Sequence, residues 1–222
     1  MDAVIFAAGK GTRLAPLTDA TPKPLLSVAG SPILGRTLDS LPASIDRVFV
    51  IVDYLAEQIE SYCAGRPDAA RITCLRQIPE RGTLAALKTA EPYLAERFLV
   101  LGGDDLVSAE DLARLAATPR AFGVARASRG YFHHIETDAA GHVKGLRAPT
   151  DDERAAGILI ATGGYVLDRD VFALAPVAIG SGELGLPQTL IAAAAQYPLA
   201  AVELPSWRPI NTPEDLAAAS AA

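Results

Sequence analysis

The chain has 222 residues, a formal net charge of −6 at pH 7 and an apolar fraction of 50%. It is long enough for one large domain with a buried core, and too apolar for a disordered chain. The acidic balance argues against a nucleic-acid partner, and no apolar run reaches the roughly 18 residues that mark a membrane span.

In chain order, Val4–Ala8 is predicted as a buried strand, with no basic and apolar leader pattern ahead of it. A helix is expected over Ile33–Leu41, a buried strand over Arg47–Val52, a helix over Leu55–Cys63 and a strand over Ile72–Leu75. Thr83–Leu94 reads as a helix with Thr83 as its N-cap. Phe98–Leu101 reads as a strand ending in Gly102-Gly103-Asp104-Asp105, and Ala109–Ala116 as a helix with acidic residues in its first turn. Apolar strands separated by helices imply a parallel sheet covered on both faces. Ligands of such sheets bind beyond the carboxyl ends of the strands.

The second half changes character. Strands are expected over Gly123–Ala127, Tyr131–Thr137, Val143–Leu146 and Ile158–Leu167, and helices over Glu183–Ala195 and Glu214–Ala219. The Ala193–Ala195 run is assigned to helix packing. No linker, biased tract or long-period repeat interrupts the chain. The expectation is a single α/β domain with a mixed sheet, whose second half supplies a substrate-facing lobe. Cys63 and Cys74 are too few and too plainly spaced for a disulfide framework or a zinc site, so they read as free, buried thiols in a reducing cytoplasm. His133 and His134 are adjacent, with His142 farther on. Adjacent strand residues point to opposite faces, which makes a poor metal cluster.

The chemistry concentrates in Ala8-Gly9-Lys10-Gly11-Thr12-Arg13 and the stretch that follows, to Lys23. Glycines at positions 9 and 11 let the backbone approach a ligand, and a turn there aims N–H groups at one anion-sized space. Lys10, Arg13 and Lys23 add cations suited to a polyphosphate. A dinucleotide fingerprint would need a third glycine where Leu14 stands, and a P-loop would need Gly-Lys-Ser/Thr to close the loop.

The string Gly-x-Gly-x-Arg-Leu-x-Pro-Leu-Thr, followed by Pro-Lys-Pro, closely resembles the signature of the sugar-phosphate nucleotidyltransferases. The resemblance runs from Val4 to Leu216. It implies a Rossmann-like three-layer α/β sandwich with a mostly parallel mixed sheet and a small substrate-facing lobe. It also implies a nucleotide-binding half over residues 1–118 and an acceptor-binding half over 119–222. The implied reaction is Mg2+-dependent: a nucleoside triphosphate and a sugar 1-phosphate give a nucleoside-diphosphate sugar and pyrophosphate. No protein nucleophile is required, so positioning and electrostatics carry the work.

The resemblance assigns roles residue by residue. Ala8, Gly9, Gly11, Thr12, Arg13 and Gly103 would line the nucleotide, with Arg13 and Lys23 neutralising its phosphates. The string FLVLGGDDL matches the family's strand and Gly-Asp, which places the metal ligand on Asp104, with Asp105 as runner-up. Gln77, Gly82 and Thr83, in QIPERGTLAAL, resemble the segment that reads the base; a glutamine amide offers both donor and acceptor. Trp207 to Leu216 resembles the C-terminal signature, but Pro209 stands where an aspartate often completes the metal site. Asn211 takes that role here, through its amide oxygen. The family's Glu-Lys-Pro becomes Arg147-Ala148-Pro149, so Arg147, or Lys144 or Arg126, replaces the lysine that grips the acceptor. Gly164, with its neighbours Thr162, Gly163 and Tyr165, and Glu183 match the sugar pocket loosely. The two departures keep other readings open: a cytidylyltransferase acting on choline or inositol phosphate, and a non-catalytic nucleotide-sugar-binding regulator. A homo-oligomer is also left open.

Overall fold

Side-chain parity along the strands assigns the two faces of the sheet. The computed structural model describes residues 1–127, 133–180 and 182–221. We number its seven sheet strands β1 (Asp2–Phe6), β2 (Arg47–Val52), β3 (Ile72–Arg76), β4 (Arg97–Gly102), β5 (Ala121–Ala127), β6 (Ile158–Asp168) and β7 (Ala200–Glu203), in the order β7-β5-β6-β4-β1-β2-β3. Strands β1 to β4 pair in parallel, β7 is parallel to β5, and only β6 runs against its neighbours.

Ala3, Ile5, Val48, Val50, Leu99 and Leu101 face helices Ile33–Asp39, Ala56–Ala64 and Ala109–Ala117. Their neighbours Val4, Phe49, Ile51, Phe98 and Val100 face helices Thr83–Ala90 and Leu186–Ala192. Each such burial is worth about 1.5–3 kcal/mol, and a one-residue slip would exchange the faces. Phe6 lies opposite both Ile51 and Gly102, so the glycine loop and the Gly-Asp-Asp turn leave the sheet side by side. A third cluster, Leu14, Leu26, Val28, Ile33 and Ile210, packs with Leu216 under the glycine loop. It joins the first thirty-odd residues to the closing helix, Pro213–Ser220.

The second half departs from expectation in three places. Its strands β5, β6 and β7 complete the main sheet; only two hairpins, His134–Thr137 with Val143–Arg147 and Ala178–Ile179 with Glu183–Leu184, stand off it. Tyr131 and Phe132, expected to open a strand, lie outside the described residues. The helix expected over Glu183–Ala195 is Leu186–Ala192, because Glu183–Leu184 pairs as a strand and Pro187 suits a helix's first turn. The Ala193–Ala195 run follows the helix end, where Ala193 O accepts from Gln196 N and Tyr197 N at 2.9 and 2.8 Å. Two elements carried weak signals. Strand β7, Ala-Ala-Val-Glu, is short and alanine-rich. Helix Asp151–Ala156 is announced only by its Thr150–Glu153 capping box. In the first half, the helix expected to reach Leu94 stops at Ala90, and a 3-10 turn over Glu91–Tyr93 follows, since Pro92 lacks the N–H a helix needs.

Candidate active site

Beyond β1 the backbone turns away from the sheet. Gly11 has φ +64°, and a Cβ there would lie 2.9 Å from the Lys23 Cβ, so a side chain is excluded twice over. Gly9 has open space where a Cβ would be. Among the described residues, no backbone or side-chain acceptor meets the N–H groups of Ala8, Gly9, Lys10 and Gly11. Thr12 opens a 3-10 turn whose Leu14 is 1% exposed, which anchors the loop to the core. The far side is pinned by Thr18 Oγ1, donating to Gly11 O at 3.0 Å, and by the Tyr54 hydroxyl, donating to Thr18 O at 3.0 Å. The result is a fixed loop with donors free for an anion.

Lys23 is 6% exposed, a placement that demands partners. Its Nζ donates to Asp104 Oδ2 at 2.7 Å and to Asn211 Oδ1 at 3.3 Å. Arg13 Nη2 donates to the same Asn211 oxygen at 2.8 Å. Four residues that are distant in sequence therefore meet at one point. Asp104 sits in the turn after β4, and Gly103 makes that turn tight: its N donates to Phe6 O at 2.8 Å. A Cβ on Gly103 would come within 2.7 Å of Phe6 O. Asn211 is held by its own N–H, which donates to Asp215 Oδ2 at 2.8 Å.

Asp105 points away from this cluster. Its Oδ2 accepts from the Trp207 indole at 2.9 Å, and its backbone pairs with Pro209. Pro209 therefore takes a structural place beside the acidic turn. Burial, reinforced by the Asp104 carboxylate, pushes the Asp105 carboxyl up to about 7. Behind it lies a cavity of about 10 Å3, room for one water, lined by Thr37, Asp105, Thr162 and Gly164 among others. Gly164 is thus buried beneath Leu115, whose Cδ2 a Cβ would meet at 3.3 Å.

Gln77 stands past the end of β3, where its N donates to Val52 O at 2.9 Å and its Nε2 to Glu80 O at 3.0 Å. Gly82, with φ +104°, lets the Leu184 backbone approach to 2.3 Å of where its Cβ would be. The expectation for Thr83 needs correcting. The N-cap of helix Thr83–Ala90 is Gly82, and the Thr83 hydroxyl accepts from Leu186 N at 2.8 Å, at the start of another helix. The close approach of Leu184 brings that second helix end within reach, and a hydroxyl one residue inside its own helix is free to serve it. Glu183, beside Leu184, is placed near the Gln77–Thr83 segment by the same contact. Arg147 lies apart: both its Nη groups donate to the Glu153 carboxylate, and Nη1 also to Ala148 O at 3.1 Å.

Among the described residues no group of three or more His, Cys, Asp or Glu side chains could hold a metal ion. The Asp104 and Asn211 oxygens nonetheless converge on one cation, the Lys23 ammonium. Hard oxygen donors around a positive charge, one of them a carboxylate, fit Mg2+, which needs few protein ligands when phosphates and waters complete its shell. Cys63 and Cys74 are free, Cys63 buried and Cys74 partly so. Among the described residues, no helix is long and apolar enough to cross a membrane.

Comparisons with known proteins show the chain's family and fold. The bifunctional protein GlmU of Methanococcus maripaludis strain S2 is 31% identical over 99% of this chain and 54% of its own length, so the chain spans about half of that relative. The UTP–glucose-1-phosphate uridylyltransferase AglF of Haloferax volcanii is 37% identical over 49% of the chain and 45% of its own. Two solved structures share the fold. The inositol-1-phosphate CTP transferase of T. maritima has a TM-score of 0.78 at 18% identity, over 96% of this chain and 90% of its own. A putative glucose-1-phosphate thymidylyltransferase of Bacillus anthracis, in complex with a sucrose, scores 0.81 at 21% identity, over 100% and 94%. A family model described as nucleotidyl transferase matches residues 2–222, and with the loop, the acidic turn and their meeting at Lys23 it identifies the chain as a member of the nucleotidyl transferase family.

Proposed function

We propose that the chain transfers a nucleotidyl group from a nucleoside triphosphate to a sugar 1-phosphate and releases pyrophosphate. The convergence of Arg13, Lys23, Asp104 and Asn211 below a loop of unpaired backbone donors carries this reading. The N–H groups of Gly9 to Gly11 hold the triphosphate, and Arg13 and Lys23 take up its charge. A nucleophilic oxygen of the acceptor phosphate attacks the α-phosphorus. The bond to the β-phosphate bridge oxygen breaks, and pyrophosphate leaves with the electron pair. Asp104 and Asn211 would hold Mg2+, which would supply further charge neutralisation on the phosphates. Gln77 and the Gly82 backbone read the base, and Arg147 and Glu183 serve the acceptor from separate elements, while Gly164 is buried and makes no contact with it.

A non-sugar acceptor is the second reading. It is favoured by Ala148 at the expected lysine position and by the engagement of Arg147 with Glu153. A 2-aminoethylphosphonate cytidylyltransferase of Lancefieldella rimae is 35% identical over 50% of this chain and 45% of its own length. Pyrophosphate release, measured for four nucleoside triphosphates against sugar, alcohol and phosphonate acceptors, tests both. Product with a sugar 1-phosphate supports the first reading, and product only with another acceptor supports the second. Nucleotide binding without pyrophosphate from any pairing overturns both and leaves a regulator.

A further inference from the structure

Asn211 reaches the site on a segment with little structure of its own. Between Leu204 and Thr212 the only regular pairing is Arg208–Pro209 with Asp105–Leu106. Leu204 fixes one end: it is fully buried, and its N donates to Val124 O at 2.8 Å. The capping box of Thr212 and Asp215 fixes the other. Between them stands one side-chain clasp. Ser206 N and Oγ both donate to Asp111 Oδ2, at 2.8 and 2.6 Å, and Ser206 Oγ accepts from Ser108 N at 2.9 Å. Asp111 is 5% exposed and is also paired with Arg114. The next residue, Trp207, reaches Asp105.

We propose that Ser206 and Asp111 are positioning residues: their clasp locks the 204–211 strap to the first turn of helix Ala109–Ala117, just beyond the Asp104 turn, and so sets the spacing of the Asp104 and Asn211 oxygens. The inference rests on the nucleotidyl-transfer reading. Its physical basis is that both contacts of the strap, through Ser206 and through Trp207, end on carboxylates of one short stretch, Asp105 to Asp111. A buried carboxylate taking two donors from one serine is a strong, directional anchor. Without the hydroxyl, Asp111 loses a partner and Ser108 N is left without its acceptor. The two main core clusters draw only Trp207 from residues 205–211, as a partly buried neighbour, and the third holds Ile210 at the far end, so the Ser206 clasp governs the 205–209 stretch that runs between Leu204 and the Ile210 anchor. Groups that orient metal ligands typically change metal affinity by about 10- to 100-fold when removed.

Trp207 is the single tryptophan of the chain, so its fluorescence reports the strap directly. The experiment compares the parent with Ser206→Ala and Ser206→Thr, titrating each with Mg2+ and each of the four nucleoside triphosphates and following emission. The expected result for Ser206→Ala is a red-shifted emission before any ligand and roughly tenfold weaker Mg2+–nucleotide binding, with unchanged circular dichroism. Ser206→Thr, which keeps the hydroxyl, restores both readings. Parent emission and affinity in Ser206→Ala overturn the clasp alone. A loss shared equally by Ser206→Thr, with altered circular dichroism, also overturns it, because it marks a merely structural site. A parent that binds no Mg2+–nucleotide overturns the clasp together with the reading beneath it.

Discussion

At the end proposed for the nucleotide, Arg13 and Lys23 both meet Asn211 and Lys23 also meets Asp104, and each residue is held by a strand end, a buried turn or a cap. At the acceptor end, Arg147, Gly164 and Glu183 sit in separate surroundings: an ion pair with Glu153, a closed cavity and a short hairpin. The first arrangement follows from parallel strands whose carboxyl ends lie in register, which delivers their loops to one place. The second is built on one antiparallel strand and two hairpins, whose tips have no such common exit. The residues proposed for the phosphates are therefore rigidly framed, while those proposed for the acceptor stand on elements that can be remodelled without moving the sheet.

The sharpest way to break this comparison is at Asp104. Asp104→Asn removes the charge from the metal-side carboxylate at almost constant volume, and pyrophosphate release is expected to fall by about 10²–10³-fold. Turnover within a factor of about two would show that the framed cluster is not the site of chemistry. Lys23→Ala comes next, with an expected loss of about 100-fold, whereas Lys88→Ala, on helix Thr83–Ala90, should leave turnover near the parent's. Similar small losses in both would remove Lys23 from the phosphates.

The register itself can be tested at Gly103. A methyl group there would meet Phe6 O at 2.7 Å, so Gly103→Ala should cost about 1–3 kcal/mol in urea denaturation. Parent stability in that variant would show that β1 and β4 are not tightly apposed where the site begins.

The smallest effects are expected at the acceptor end. Arg147→Ala should raise the acceptor KM only two- to fivefold, roughly the scale of a screened ion pair, and leave the nucleotide KM unchanged. An equal rise in both would merge the two ends into one site. The Arg147 guanidinium, with the Thr150 amide, holds the Glu153 carboxyl well below the usual carboxylate range. A depressed folded pKa gives stability that is complete above the ordinary value and is lost as pH falls through the depressed one. The stability difference between the parent and Glu153→Gln should therefore be present at neutral pH and close in acid. Thermal melts across that range check it; a difference that grew in acid would assign Glu153 another partner.

Much of the nucleotide end was legible because its constraints are local. Gly11 and Gly103 mark close backbone approaches, and the apolar runs of β1, β2 and β4 mark strands buried on both faces. A motif at the far end of the chain assigned Asn211 to the metal; its contacts with Arg13 and, across 188 residues, with Lys23 needed coordinates. What stayed illegible depends on tertiary neighbours. Nothing near Thr83 in the chain shows that its hydroxyl serves Leu186, or that Ser206 closes on Asp111. The Thr150–Glu153 capping box was readable as a helix start, and Arg147 as a cation, but their mutual neutralisation needed coordinates.

The backbone contact between Gly82 and Leu184 has a consequence for how such an enzyme changes over generations. The loop beside Gln77 and the hairpin carrying Glu183 touch without a side chain between them, at a separation that admits none. Novel acceptors cannot be acquired by trading that hairpin as an independent cassette, because a graft that bulges there displaces the neighbouring loop as well. The loop and the hairpin are in this sense a linked pair, and a successful chimera would have to exchange residues 77–83 and 178–186 together.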